Sequence, residues 1–280
     1  MYEVTLNNGV KMPIIGYGVY QVTPEECERC VLDAISVGYR LIDTAQAYGN
    51  EEGVGNAISK CGVPREELFI TTKVWISNSG YEKAKQSIEK SLQKLQTSYI
   101  DLMLIHQPFG DYYGTYRAMV EAYQEGKIRA IGVSNFYPDR LIDFCQFQEI
   151  IPAVNQVETH PFHQQVEARD IMKKYGVQIQ SWGPFAEGRK DIFQNEILVQ
   201  IGAQYNKSVA QVILRYLIEQ NIVVIPKSVR KERMIENFNI FDFQLSEQDK
   251  ALIASLDEKT SAFFSHYDPD TVEFLCSLGK

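Results

Sequence analysis

The sequence lacks any hydrophobic run close to the roughly 20 residues that a membrane-spanning helix requires, and its lysines and arginines form no basic stripe or block. A net charge of −8 does not provide the basic surface expected of a nucleic-acid-binding protein. The first residues, MYEVTLNNGVKMP, have neither the basic start nor the apolar stretch of a signal peptide. We therefore expect a cytoplasmic protein that binds neither nucleic acid nor membrane.

Cysteine is scarce, with five residues in the chain. An odd number of cysteines without an export signal predicts reduced thiols. Cys27 and Cys30 form a C-x-x-C pattern, which occurs in redox and zinc sites. They lie within TPEECERCVLDAISVG, a segment whose periodicity predicts one amphipathic helix, and no second cysteine pair supplies the other zinc ligands. We interpret both as ordinary helix cysteines.

The chain contains no linker, low-complexity segment or break in composition, which predicts a single domain over residues 1–280. Hydrophobic residues make up 45% and charged residues 23%, as in an ordinary soluble globular protein. No repeat, heptad pattern or apolar stripe calls for assembly, so we expect a monomer.

Short apolar runs alternate with longer segments of helical period. The runs share the length and composition of buried strands: 14–18, 40–43, 68–73, 100–106, 128–134, 153–157, 177–182 and 222–227. Eight strands alternating with helices predict a parallel (β/α)8 TIM barrel. A doubly wound open sheet is the competing fold, but no G-x-G-x-x-G follows the first run.

Several segments lie outside this alternation. EVTLNNGVKMP carries an Asn-Gly turn signal and predicts an N-terminal β-hairpin. The long stretch 183–207 and the segment 246–256 predict two accessory helices. The aromatic-rich tail, 258–280, is expected to fold over the end of the barrel that holds the substrate pocket.

Polar residues follow the apolar runs in sequence. They share a position at or just after a strand end: Asp43, Lys73, His106, Ser134, Asn135, Gln156, Trp182 and Lys227. Each alone is readily explained as a strand-end cap. Together they would meet at the C-terminal mouth of a barrel, where the βα loops build active sites.

The residue types at this mouth suit carbonyl reduction. Asp43 and Lys73 come from adjacent strands and can form an ion pair, and Tyr48 lies on the loop that follows Asp43. A nearby ammonium is expected to lower the phenol pKa from about 10 toward neutrality. His106 can hydrogen-bond a carbonyl oxygen. No side chain supplies hydride, so this chemistry requires a nicotinamide cofactor.

Metal chemistry is the main alternative use of such residues. His160 and His163 form an H-x-x-H pattern after the sixth predicted strand. No third histidine or carboxylate stands at helical spacing to complete a site. We interpret the pair as loop histidines and predict no metal, although a metal-dependent barrel hydrolase or lyase stays open as a minor alternative.

The chain resembles the aldo-keto reductases, in particular bacterial members such as the diketogluconate and glyoxal reductases, across nearly its whole length. Six segments carry the resemblance in the family's order: GYRLIDTAQAYGNE, TTKVW, DLMLIHQP, GVSNF, NQVETHP and IPKSVRKERMIEN. The resemblance implies that Tyr48 is the general acid, that Lys73 lowers its pKa, that Asp43 holds Lys73 and that His106 orients the substrate carbonyl.

The resemblance also implies a cofactor site for NADPH. Its predicted residues fall into three groups, for the nicotinamide, the pyrophosphate and the adenosine end: Ser134, Asn135, Gln156 and Trp182; Gly183, Pro184, Phe185 and Gly188; Lys227, Ser228, Val229, Arg233, Glu236 and Asn237. In the last group, Lys227, Ser228 and Arg233 would hold the 2′-phosphate, and Glu236 and Asn237 would lie at the adenine. The 2′-phosphate assignment also has independent physical support, because two cations and a hydroxyl at a helix start favour phosphate.

Two positions depart from the family's usual pattern. Gln107 stands where a tryptophan often follows the catalytic histidine, and Trp182 stands where a tyrosine often stacks on the nicotinamide. Gln107, with Tyr20 and Trp75 as aromatic walls, is predicted to line the substrate pocket beside His106. The alternative function is a regulatory barrel that binds the cofactor and turns over little.

Overall fold

Eight parallel strands form the central barrel. The computed structural model describes residues 2–279, and the barrel strands follow one another around it: β3 (Gly16–Gly18), β4 (Leu41–Asp43), β5 (Phe69–Val74), β6 (Leu102–Ile105), β7 (Ile131–Ser134), β8 (Val154–Glu158), β9 (Gln178–Trp182) and β10 (Val223–Val224). A parallel bridge between Ile15 and Val224 joins the first and last strands. The predicted (β/α)8 barrel is confirmed, with each strand close to its predicted run.

A helix follows each barrel strand and covers the outside of the sheet. The helices are α1 (Pro24–Val37), α2 (Glu51–Lys60), α3 (Tyr81–Lys94), α4 (Tyr112–Gln124), α5 (Pro138–Gln146), α6 (Val166–Tyr175), α8 (Val209–Glu219) and α9 (Lys231–Phe238). Thr23 caps the start of helix α1, since its side chain accepts a hydrogen bond from the Glu26 amide. Cys27 and Cys30 lie buried on this helix.

Two accessory helices, α7 (Glu196–Tyr205) and α10 (Glu247–Ala254), add to the basic barrel where they were predicted. The Tyr205 hydroxyl donates to Asp249 at 2.6 Å and so ties the two together. A further helix, α11 (Pro269–Ser277), lies in the tail. No helix within residues 2–279 combines the length and apolarity needed to cross a membrane.

The predicted hairpin, β1 (Glu3–Thr5) and β2 (Lys11–Pro13), is antiparallel. Its side chains reach the barrel through Asn7, which donates to the Pro152 carbonyl at 3.1 Å, and Asn8, which donates to the Arg129 carbonyl at 2.9 Å. Both carbonyls precede barrel strands, so the hairpin covers the N-terminal end of the barrel. The opposite, C-terminal mouth is left to the βα loops and the tail.

Candidate active site

A buried lysine organises the mouth of the barrel. Lys73 is fully buried, and its Nζ donates to Asp43 Oδ1 at 2.5 Å, to the Thr44 carbonyl at 2.8 Å and to the Tyr48 hydroxyl oxygen at 3.4 Å. Parallel pairing of β4 with β5 brings Asp43 and Lys73 together, and a 3-10 turn over Gln46–Tyr48 returns the phenol to them. All three ammonium hydrogens are engaged, so the phenol hydrogen of Tyr48 is free to point elsewhere.

The acidity of this phenol differs from the sequence-based expectation. Burial, followed by the charge of Asp43, holds the pKa of Tyr48 well above its ordinary value of 10.0. The expected lowering by Lys73 is not found in this state, because Asp43 already neutralises the ammonium at 2.5 Å. Tyr48 is therefore a protonated phenol at neutral pH, which is the form that a general acid needs.

His106 follows β6 and faces the same opening. Its ring lies 5.6 Å from that of Tyr48 and 5.0 Å from that of Trp75, measured between ring centres. Burial, and then the charge of Lys73, lowers the pKa of His106 well below 6.5. The imidazole is thus neutral, and within residues 2–279 its buried Nδ1 has no hydrogen-bond partner. A neutral imidazole with spare capacity can bind a polar ligand atom at the mouth.

A second set of side chains lies beside this group: Ser134 and Trp182 end β7 and β9, Asn135 follows β7, and Gln156 lies within β8, before the strand end predicted for it. Ser134 donates through its hydroxyl to the Gln156 carbonyl at 2.8 Å, and Trp182 Nε1 donates to Asn135 Oδ1 at 2.8 Å. Asn135 adopts a left-handed backbone, φ +61°, which asparagine tolerates better than most residues. The Asn135 backbone amide also donates to the Gln156 carbonyl at 2.9 Å, so the four residues predicted to hold the nicotinamide form one hydrogen-bonded set.

Gln156 connects this set to the buried ion pair. Its amide nitrogen donates to Asp43 Oδ2 at 2.7 Å and to Gln180 Oε1 at 3.0 Å. Because a carboxylate only accepts, Asp43 fixes which way the amide faces. Both amide hydrogens are engaged, so Gln156 has only its side-chain oxygen to offer a ligand.

The third predicted group lies on the connection from β10 to α9 and on α9 itself. Lys227 and Arg233 are exposed, and neither forms an ion pair within residues 2–279. Lys231 differs, since its Nζ lies 3.3 Å from Asp33 on α1. The other members are less exposed: Ser228 and Asn237 are buried, and Val229 and Glu236 are half-buried. Ser228 Oγ accepts from the Arg230 amide at 3.1 Å.

The loop predicted to cover a pyrophosphate follows β9, and several of its residues adopt left-handed backbone conformations. Gly183 and Gly188 have φ values of +60° and +78°, and Ala186 and Glu187 between them are also left-handed. Pro184 is buried, and the Phe185 ring packs on Phe193 with centres 5.6 Å apart. The loop therefore has a defined shape at the edge of the mouth.

The predicted substrate walls and the tail enclose the remaining side. The Tyr20 ring is 52% exposed and lies 5.0 Å from the Tyr48 ring. Trp75 Nε1 donates to the Leu278 carbonyl at 3.3 Å, and Phe263 lies 5.3 Å from the Trp182 ring. Gln107, which was predicted to line the substrate pocket, has its side-chain oxygen already hydrogen-bonded to Asn135 and to His266 of the tail.

The H-x-x-H histidines belong to a tight loop. His160 and His163 exchange backbone hydrogen bonds of 3.1 and 2.9 Å, and His160 Nε2 lies 2.8 Å from Glu158 Oε1. Over residues 2–279, no three histidine, cysteine, aspartate or glutamate side chains converge as metal ligands would.

Three residues of the site were not anticipated from the sequence. Thr44 supplies a carbonyl to Lys73, Gln180 holds Gln156, and His266 reaches Gln107 from the tail. A polar residue alternating within the run QIQSW was a signal for Gln180. A backbone carbonyl has no sequence signal, and no spacing rule connects His266 with residues about 160 positions earlier.

Comparison with known proteins assigns the family. The model of the aldo/keto reductase family matches residues 14–258. The chain belongs to this family. It is 50% identical to a glyoxal reductase of Bacillus subtilis, over 91% of this chain and 92% of that protein. It is 43% identical to a methylglyoxal reductase, DkgA, of Yersinia pestis, over 91% and 92%.

A solved aldo/keto reductase of Bombyx mori, in complex with NADP, superimposes with a TM-score of 0.90 at 32% identity, covering 97% of this chain and 96% of that one. As an aldo/keto reductase, the chain is an oxidoreductase that acts on carbonyl groups. The family predicted from the six sequence segments is confirmed, and so is carbonyl reduction, the reaction class predicted from the strand-end residues.

Proposed function

We propose that this aldo/keto reductase uses NADPH to reduce aldehydes and ketones to alcohols, with Tyr48 as the proton donor. The observation that carries the proposal is the Lys73 ammonium bonded at once to Asp43, Thr44 and the Tyr48 oxygen. The glyoxal and methylglyoxal reductases among its relatives favour small dicarbonyls as substrates, and other small carbonyls and keto-sugars belong to the same proposal.

The residues present fit NADPH. Gln156 retains a side-chain oxygen that can accept from an amide such as the nicotinamide carboxamide, because its own nitrogen is engaged. Trp182 offers a half-exposed aromatic face for the ring, and Lys227 and Arg233 offer cations outside any ion pair of residues 2–279. When bound, NADPH supplies the hydride for the carbonyl carbon.

The chain's own residues manage the proton. Tyr48 gives its phenol hydrogen to the substrate oxygen, and Lys73 then stabilises the phenolate from 3.4 Å. Asp43 keeps Lys73 in place at 2.5 Å. His106, being neutral, can donate to the same carbonyl oxygen and orient it toward Tyr48.

A substrate panel tests the reaction. Purified protein should oxidise NADPH in the presence of methylglyoxal or a nitrobenzaldehyde, followed as loss of NADPH absorbance, and should do so better with NADPH than with NADH. Tight NADPH binding with no turnover over a broad panel would favour the regulatory alternative. Activity lost to a chelator would favour the metal-dependent one.

Lys227 and Arg233, the two cations proposed to bind the 2′-phosphate, should determine the preference for NADPH over NADH. Lys227→Ala or Arg233→Ala should weaken NADPH binding roughly tenfold to a hundredfold, as expected for loss of a charge-assisted hydrogen bond. NADH lacks the 2′-phosphate, so its binding should change little. Dissociation constants for both cofactors, measured by quenching of tryptophan fluorescence, give the comparison.

Lys231→Ala is the matched control, because this neighbouring lysine pairs with Asp33. It should leave both dissociation constants within about twofold, less than one ordinary hydrogen bond contributes. If Lys227→Ala or Arg233→Ala weakened the binding of NADPH and NADH equally, these residues would not bind the 2′-phosphate.

A further inference from the structure

Gln107 lies between the tail and the proposed nicotinamide site. It follows His106 and is 8% exposed. Its Oε1 accepts from His266 Nε2 at 2.7 Å and, over a longer 3.4 Å, from Asn135 Nδ2. One side-chain oxygen is therefore shared by the tail and by the loop that follows β7.

Asn135 is held by this contact and two others. Its Nδ2 also donates to the His106 carbonyl at 3.2 Å, and its Oδ1 accepts from Trp182 Nε1 at 2.8 Å. The two acceptors on one side and the indole N–H on the other leave a single orientation for the amide. We therefore expect the loss of one acceptor to loosen both Asn135 and the indole that it holds.

His266 is suited to a fixed role in this arrangement. Its ring stacks on Phe109 with centres 5.8 Å apart, and its Nδ1 lies 3.4 Å from the Tyr137 hydroxyl. Burial, followed by the charge of Arg140, lowers the pKa of His266 to about 4. The ring is neutral, and because Gln107 Oε1 can only accept, Nε2 carries its hydrogen.

We propose that Gln107 is a positioning residue for the cofactor, through which His266 of the tail holds Asn135 and Trp182 in place. This inference rests on the proposed function, in which Asn135 and Trp182 contact the nicotinamide. It assigns Gln107 to the cofactor side of the site rather than to the substrate pocket predicted from the sequence. It also makes the tail part of the cofactor site without direct contact.

A double-mutant cycle tests the connection. Gln107→Met and His266→Phe keep similar side-chain volumes but remove the shared hydrogen bond. Each should weaken NADPH binding roughly two- to tenfold, the range of one neutral hydrogen bond, with a smaller change in kcat at saturating NADPH. The double variant should bind no more weakly than either single variant, because both changes break the same link.

The fluorescence of Trp182 tests the same connection from His266 through Gln107 and Asn135 directly. The chain has two tryptophans, so Trp75→Phe leaves Trp182 as the sole tryptophan, whose emission can be excited selectively over that of the tyrosines. In that background and without cofactor, His266→Phe should shift the Trp182 emission, since the indole N–H loses its fixed acceptor. Tyr267→Phe is the control, because this neighbouring tail residue bonds to Asp139 at 2.8 Å instead, and it should shift neither emission nor affinity.

Two results would overturn the proposal. One is a double variant whose loss of NADPH affinity equals the product of the two single losses, since the residues would then act independently. The other is a Trp182 emission that His266→Phe does not shift. A parent protein that does not bind NADPH would contradict the proposed function instead. The cofactor-free emission would still decide whether the tail and Trp182 are connected.

Discussion

Tyr48→Phe should lower kcat for carbonyl reduction by roughly 10² to 10⁴-fold, the usual contribution of a positioned general acid, while NADPH still binds. Lys73 Nζ lies 3.4 Å from the phenol oxygen, but its hydrogens are committed to Asp43, Thr44 and Tyr48 itself. The phenol hydrogen is thus the proton that this group can release toward the mouth. Steady-state rates with methylglyoxal, alongside an NADPH titration, measure both parts of the expectation.

Tyr20→Phe is the informative comparison, because the Tyr20 ring lies only 5.0 Å from that of Tyr48. Tyr20 has no contact with the Lys73 nitrogen among the hydrogen bonds of residues 2–279, so its hydroxyl lacks a cation to stabilise the phenolate. Its removal should alter KM more than kcat. A Tyr48→Phe enzyme with the parental kcat, or a Tyr20→Phe enzyme with the larger loss, would show that the acid is misassigned.

The barrel could be predicted because its signal is repeated. Each strand is a short apolar run and each helix a segment of different period, so a doubtful boundary at β10, two residues long, does not obscure the pattern. The polar residues at the strand ends could be placed at one mouth for a related reason: parallel strands all end on the same side. Asp43 and Lys73 follow directly from the pairing of β4 with β5.

The remaining features depend on three-dimensional contacts that no period encodes. Gln107 and His266 meet only because the tail returns across the mouth, and the sequence indicated no more than an aromatic-rich end. The direction of the Tyr48 pKa shift was wrongly predicted, because it depends on whether burial and Asp43, which raise the pKa, outweigh Lys73, which lowers it. Lys73 was identified as a nearby cation, but burial and the neutralising distance to Asp43 are properties of the fold.

Lys73→Met should abolish most turnover and also destabilise the protein by about 3–5 kcal/mol, because removal of one partner leaves a buried charge without compensation. Asp43 is 2% exposed, and burial already raises the pKa of its carboxyl against the opposing effect of Lys73. Without Lys73 that pKa rises further. Chemical denaturation measures the free energy of unfolding, and NADPH oxidation measures turnover.

The destabilisation caused by Lys73→Met should also depend on pH, in a direction set by the raised pKa of Asp43. A carboxyl whose pKa is higher in the folded than in the unfolded protein favours folding while it is protonated, and this benefit is lost as pH rises through the folded value. The destabilisation by Lys73→Met should therefore shrink as pH falls toward the unfolded Asp value of about 3.9 and grow as pH rises. A penalty independent of pH would mean that the lost contacts of the lysine chain, not the orphaned carboxylate, set the cost.

Adding Asp43→Asn to Lys73→Met separates stability from catalysis. The double variant removes both buried charges, so it should recover much of the lost free energy of unfolding, as replacement of a buried ion pair by neutral groups often does. Turnover should stay low, because no ammonium remains 3.4 Å from the Tyr48 oxygen to stabilise the phenolate. If activity returned together with stability, Lys73 would serve the fold alone, and the proposed proton transfer from Tyr48 would have to proceed without it.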